Sequence, residues 1–227
     1  MSGFNAAARE ARLRADYTES TMISDKAYNG IMGATVLYGI IVNVIICGLV
    51  GNTYAYINPL VFLIGYFVCA FAGIFIANKS KNPAISFLGY NLVVIPLGLM
   101  ISTMVYAYGG ISSLVVIEAF FYTMMITIVM VAMSILFPQF FSKIGGFLFA
   151  GLLGIVITEV VLMLFHIPQI ATSWMAAILF SLYIGYDFYR SQQFAKTVDN
   201  AVDCALDIYL DIANLFVRLL QILGRRK

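Results

Sequence analysis

The sequence predicts an all-α, polytopic membrane protein of seven transmembrane helices, and three observations predict it. The first is composition. Of the 227 residues, 62% are hydrophobic and only 11% are charged, less than half the roughly 25% charged share of a soluble domain. The second is run length, because several apolar stretches reach the about 20 residues that a helix needs to cross a hydrocarbon core. The third is the placement of Lys and Arg, which alternates from loop to loop. Most segments are apolar all round, as lipid requires, where a soluble helix would carry a charged face.

Residues 1–30 read as a polar cytoplasmic segment with amphipathic character, and residues 31–227 as one seven-helix transmembrane domain. Arg9, Glu10, Arg12, Arg14 and Asp16 are not followed directly by an apolar run. The segment is therefore not read as a cleavable signal peptide, and the first span is expected to act as its own insertion signal. Spans are expected at 32–51, 59–77, 84–107, 114–137, 146–165, 173–190 and 201–223. Short punctuation separates them: Gly51-Asn52, Asn82-Pro83, Gly109-Gly110, Pro138 and Pro168, residue types that break regular structure. Loops this short hold no soluble domain, and no long internal repeat signals inverted halves.

Orientation follows from the basic residues. Arg9, Arg12, Arg14 and Lys26 precede the first span, Lys79 and Lys81 follow the second, Lys143 the fourth, and Arg190 and Lys196 the sixth. The loops around 52–58, 108–113 and 166–172 have no Lys or Arg. The N-terminus is thus expected in the cytoplasm and the C-terminus outside. The final Arg225-Arg226-Lys227 pulls the other way, and a last segment that dips in and returns is the alternative; residues 201–223 are nevertheless long enough to cross. The absence of sorting signals and the short termini favour the inner membrane of a bacterium.

A net charge of +2 with no basic, aromatic-interleaved stripe gives no reason to expect a nucleic-acid partner. Cys47, Cys69 and Cys204 show no ligand spacing and read as small apolar residues rather than disulfides or metal ligands. No cofactor is expected. His166 is assigned no role, and Trp174 reads as an interface anchor.

Ionisable residues within spans cost about 2.5–3.5 kcal/mol each at the membrane centre by insertion scales, so each needs a reason. They are Glu118, Glu159, Asp187, Asp203, Asp207, Asp211 and Arg218. On the last helix Asp203, Asn214, Asp207, Arg218 and Asp211 fall within an arc of roughly 80°, opposite Leu206, Ile208, Tyr209, Ile212, Leu220 and Leu223. That polar stripe must look into the bundle. The plainer reading makes Asp203 interfacial and lets Arg218 snorkel outward; Asp207, a turn deeper, stands between the two readings. Asp211 lies near the middle of the helix, and Asp187 near the cytoplasmic end of the sixth span. Helices six and seven are antiparallel neighbours, so these two carboxylates can face one another. Two close carboxylates in low dielectric cannot both ionise cheaply and would share a proton lost near neutral pH. Such a pair is a proton-gated cation site, and once deprotonated it would hold a hard cation such as Ca2+ transiently. A purely structural carboxyl pair is the alternative. Glu118 and Glu159 lie nearer the outer side, so acidic groups are spread over the depth that a cation route needs. Each glutamate could equally cap a helix–helix contact.

At these residues the sequence closely resembles the C-terminal signature of the Bax inhibitor (transmembrane Bax inhibitor motif) family. The resemblance is carried by Phe180-Ser181-Leu182-Tyr183-Ile184-Gly185-Tyr186-Asp187, by Ala205-Leu206-Asp207-Ile208-Tyr209-Leu210-Asp211-Ile212-Ala213-Asn214-Leu215-Phe216 and by Leu219-Leu220-Gln221-Ile222-Leu223-Gly224. Ile117-Glu118-Ala119-Phe120 and the Lys79–Pro83 loop are weaker echoes. The strong match covers about 45 residues, and the spacing of 24 between Asp187 and Asp211 also looks like the family's. The resemblance implies six helices around a central seventh and a pH-sensitive Ca2+ leak in which Asp187 and Asp211 form the di-aspartyl sensor. It also implies that membrane proteases or other membrane proteins are possible partners, beside the bilayer, Ca2+ and protons. Some relatives hold the pair with an arginine in span two; Asn78 and Lys79 stand in that region here. Lys79 and Arg218 are the candidate charge partners. Asp203 and Asp207 depart from the signature, either raising cation affinity at the inner mouth or being simply solvated.

A passive leak is favoured over an active pump, because the sequence has no nucleotide-binding motif. A non-transporting regulator that binds other membrane proteins is the second reading. An intramembrane aspartyl protease is the third: Tyr186 precedes Asp187 as that class requires, but Tyr209-Leu210-Asp211-Ile212 has none of the glycines its second aspartate needs.

Overall fold

The computed structural model describes residues 11, 13, 14, 21–50, 59–79, 81–165 and 170–225, without the side chains of 59–63, 77–79, 163, 170 and 171. Most of the N-terminal polar segment, the loop around 52–58, His166, Pro168, Arg226, Lys227 and the side chains of Asn78 and Lys79 lie outside the described residues. Among the described residues there are seven long helices and no strand: α1 (Asp25–Val50), α2 (Pro59–Lys79), α3 (Pro83–Ala107), α4 (Leu114–Leu136), α5 (Pro138–Leu164), α6 (Ile170–Ser191) and α7 (Val198–Gly224).

Local chemistry sets the helix ends. Ser24, Asn82 and Thr197 each accept a backbone N–H from the first turn that follows, at 3.2, 3.0 and 3.2 Å, which satisfies donors that a helix start leaves bare. Between α3 and α4, Gly109 and Gly110 take positive φ of 97° and 81°, and Gly110 N–H closes α3 on Val105 O at 2.9 Å. The largest departure from the expected boundaries is α5. Its span was expected to start at 146, after a loop holding Lys143, but the helix starts at Pro138 with Phe137 alone between it and α4. Proline at a first helical position gives up an N–H that has no helical partner there, so Pro138 opens a helix instead of marking a loop. Four others also start before their expected spans: α1 at residue 25, α3 at 83, α6 at 170 and α7 at 198.

The chain divides into two compact units. The first holds residues 1–103 and 191–207, that is α1, α2, most of α3 and the start of α7. There Tyr90 donates to Thr35 O at 2.8 Å and Tyr38 to Asn91 Oδ1 at 2.8 Å, tying α3 to α1. The backbone of α2 approaches α3 closely at Gly73, where a Cβ would meet the carbonyl oxygen of Gly89. The turn after α6 is pinned by Tyr28, whose hydroxyl reaches Ser191 O at 3.1 Å and Cys204 Sγ at 3.3 Å. Lys196 Nζ sits 4.5 Å from the Tyr28 ring centroid; burial lowers the pKa of this lysine, and Asp25 and Cys204 oppose the shift.

The second unit holds residues 104–190 and 208–227: the end of α3, then α4, α5, α6 and the rest of α7. Two reciprocal close approaches lock the start of α5 to the end of α6. A Cβ on Gly185 would collide with the ring of Phe141, and one on Gly145 with the ring of Tyr186. Phe141 is 1% exposed.

Four segments are long and apolar enough to cross a membrane: α1, α3, α4 and Pro138–Leu162 of α5. In α2 the apolar run with described side chains is shorter, Ile64–Ile76. Leu136, Phe147, Ile157 and Leu164 face outward, as on a lipid-facing surface. In contrast α7 is among the most polar helices, yet no residue from Val198 to Gly224 is exposed. Asp203 and Asp211 of its acidic stripe are buried, and so is the opposite face with Leu206, Ile208, Tyr209, Ile212 and Leu220.

Candidate functional site

The stripe on α7 is buried more deeply than its spacing suggested. Asp203 is 1% exposed and Asp211 8%. Asp207 and Asn214 are half-buried, and Asn214 spends an amide N–H on Leu210 O of its own helix at 2.8 Å. One turn before Asp203 the stripe continues to Asp199, 2% exposed, which accepts a hydrogen bond from Ser86 of α3 at 2.6 Å. Asp199 was missed because it precedes the expected start of the span at 201. Its spacing of four from Asp203 is the signal that reveals it.

Asp187 and Asp211 both belong to the second unit. Tyr183 lies one turn before Asp187 on α6, and the two carboxylates come from successive helices. Asp187 also has a cation close by: Arg190 Nη1 stands 3.8 Å from its Oδ1, with the two side chains 23% and 13% exposed respectively. The i,i+3 spacing makes this pair legible on one helix, although Arg190 entered the sequence reading only as an orientation marker. The backbone of Lys79 ends α2 and its side chain lies outside the described residues.

Arg218 does not snorkel. Its Nη1 and Nη2 donate to Glu159 Oε1 and Oε2 at 2.6 and 2.8 Å, a two-pronged pair between α7 and α5 with side chains 16% and 19% exposed. Its partner is therefore Glu159 and not the aspartates. Glu118 is half-buried on α4, and among the described residues no ion pair or hydrogen bond engages it. Cys47, Cys69 and Cys204 are not in disulfides, and Trp174 is 47% exposed. Among the described residues no group of three or more His, Cys, Asp or Glu side chains is arranged to hold a metal ion. Chemically, the unit offers two carboxylates on successive helices, Asp187 with a guanidinium beside it and Asp211 buried, and a separate acid–base fork.

A family model for the inhibitor of apoptosis-promoting Bax1 matches residues 21–227. A Bax inhibitor 1 from Schizosaccharomyces pombe is 30% identical over 118 residues, 50% of this chain and 43% of its own. An uncharacterized membrane protein of Vibrio cholerae is 34% identical over 114 residues, 49% of this chain and 50% of its own. An uncharacterized protein of Helicobacter pylori is 36% identical over 86 residues, 37% of this chain and 36% of its own. The chain thus spans half or less of the length of these curated relatives. The family match nevertheless runs through every helix described, and together with the long apolar segments it shows that this membrane protein belongs to the Bax inhibitor family.

Proposed function

We propose that the chain is a passive, pH-sensitive Ca2+ leak of seven spans, with the N-terminus cytoplasmic and the C-terminus outside, gated by Asp187 and Asp211. The observation that carries the reading is that two carboxylates of one compact unit are both largely removed from water. Asp211 is 8% exposed and the Asp187 side chain 13%, so neither charge is fully hydrated. When the pair holds one proton, its net charge is small and a divalent cation gains little by approaching. When the proton leaves, two acidic groups in a low-dielectric surrounding repel one another and attract a hard cation through oxygen. Deprotonation then both separates the helices and supplies transient ligands. The route would continue along the stripe past Asp207, Asp203 and Asn214. Family membership supports this, as does the burial of α7 along its whole length.

The test is Ca2+ entry into liposomes with a trapped dye, for wild type, Asp187→Asn and Asp211→Asn between about pH 6 and 8, the range in which such a pair titrates. The expected result is entry that rises with pH in wild type and is flat in either variant. Wild-type liposomes no leakier than empty ones would overturn the leak and favour a regulator that binds other membrane proteins.

A further inference from the structure

A second charged cluster lies at the far end of the same unit. On α5 the inner line runs through Leu148 and Ile155, 0% and 7% exposed, and Glu159 extends it by one more turn. Glu159 meets the Arg218 fork, Arg218 Nη1 also reaches Gln221 Oε1 at 3.4 Å, and Ser173 Oγ donates to the same oxygen at 3.3 Å. Four side chains therefore tie the C-terminal ends of α5 and α7 to the first turn of α6. Asp187 lies at the other end of α6, and Arg218 lies seven residues beyond Asp211, about 10 Å along the helix.

Stability alone does not explain this fork. Two apolar residues of similar volume would serve a lipid-embedded unit as well or better, because the desolvation of both charges roughly cancels their attraction. What a paired carboxylate and guanidinium add is direction: parallel hydrogen bonds hold only in one relative placement of the two helices. We propose that Glu159 and Arg218 are positioning residues that form an ionic clasp, closing the unit at the end opposite Asp187, so that water and cations reach the level of Asp211 only when the fork parts. The clasp rests on the leak reading for its consequence, but not for its geometry. Parting the fork by removing the arginine leaves the carboxylate without its cation, which favours Ca2+. Removing the glutamate leaves a bare cation that admits water but repels Ca2+.

The experiment uses the full chain in liposomes near pH 6, where the aspartate pair holds its proton. Ca2+ entry is expected to rise about tenfold in Arg218→Gln, to stay near wild type in Glu159→Gln, and to return to within about twofold of wild type when the charges are exchanged in Glu159→Arg/Arg218→Glu. Alongside, Ala176→Cys, a 0% exposed position one turn from Ser173, is introduced after the three native cysteines are replaced by Ala. A membrane-impermeant methanethiosulfonate should label it about tenfold faster in either single variant than in the parent, and at the parent rate in the exchanged one. Equal labelling in parent and both single variants overturns the clasp whether or not the protein leaks Ca2+, as does an exchanged variant labelled as fast as the singles. Faster labelling in the singles, with wild-type liposomes as tight as empty ones at every pH, overturns the leak and upholds the clasp. Two single variants are carried so that loss of one to misfolding leaves the other to decide.

Discussion

Within the unit formed by α4, α5, α6 and most of α7, two pairs of ionisable residues meet the same low-dielectric surroundings in opposite ways. Asp187 and Asp211 place two like charges on successive helices of the unit, and Arg190 stands 3.8 Å from Asp187. Glu159 and Arg218 bring opposite charges together in two short, parallel hydrogen bonds. In the first, two like charges would repel one another if both were ionised, whereas in the second opposite charges offset one another. The same residue types thus build two different electrostatic arrangements, and partner charge alone distinguishes them.

The largest way to break that contrast is to leave one charge of the neutral pair alone. Arg218→Leu strands the Glu159 carboxylate between helices and is expected to cost about 3–5 kcal/mol, as for other buried pairs that lose one partner. The double change Glu159→Leu/Arg218→Leu removes both charges and should recover most of that loss. Thermal unfolding in detergent, read as a double-mutant cycle, checks it. Near-equal melting of the single and double variants would show that the fork is already solvated.

A smaller effect is expected where packing, rather than charge, sets the acidic pair. Gly185 lets Phe141 lie against α6 two residues before Asp187, and Gly145 does the same for Tyr186. Gly185→Leu should force the helices apart at a cost of about 1–3 kcal/mol, typical of overpacking. It should also shift the pH response of Ca2+ entry, because Asp187 moves with α6. Gly146→Leu, where a Cβ has open space, is the control and should do neither. If the two behave alike, the tight contact does not position Asp187.

The sequence made one side of this comparison legible and hid the other. Asp187 and Asp211 stand out because a carboxylate within an apolar run is costly wherever it lies, and the stripe on α7 follows from helical periodicity alone. Glu159 and Arg218 were equally conspicuous as single charges. Their pairing joins positions 59 residues apart and depends on how α5 packs against α7, which no local pattern records. The same holds for Ser86 and Asp199, 113 residues apart. Boundaries slipped where punctuation was ambiguous, as at Pro138, which reads equally as a loop breaker and as a helix opener. The burial of both faces of α7 was illegible for a different reason: periodicity separates a polar from an apolar face but does not say whether the apolar one meets lipid or protein.

The smallest expected effect is also the sharpest probe of the acidic pair. Arg190 contacts Asp187 at the limit of an ion pair, with both side chains partly exposed, so Arg190→Gln should change stability by less than about 1 kcal/mol. Its consequence lies in the pH response. The guanidinium favours the ionised form of the pair, so without it the negative pair is harder to form and its proton leaves only at lower proton concentration. The midpoint of Ca2+ entry should therefore move to higher pH, by less than about one unit at this distance and exposure. Glu159→Gln, whose partner is Arg218, should leave both that midpoint and the rate of entry near wild type. A midpoint that moves to lower pH in Arg190→Gln would mean that the arginine acts on the closed, protonated pair, as a latch, and not on the ionised one.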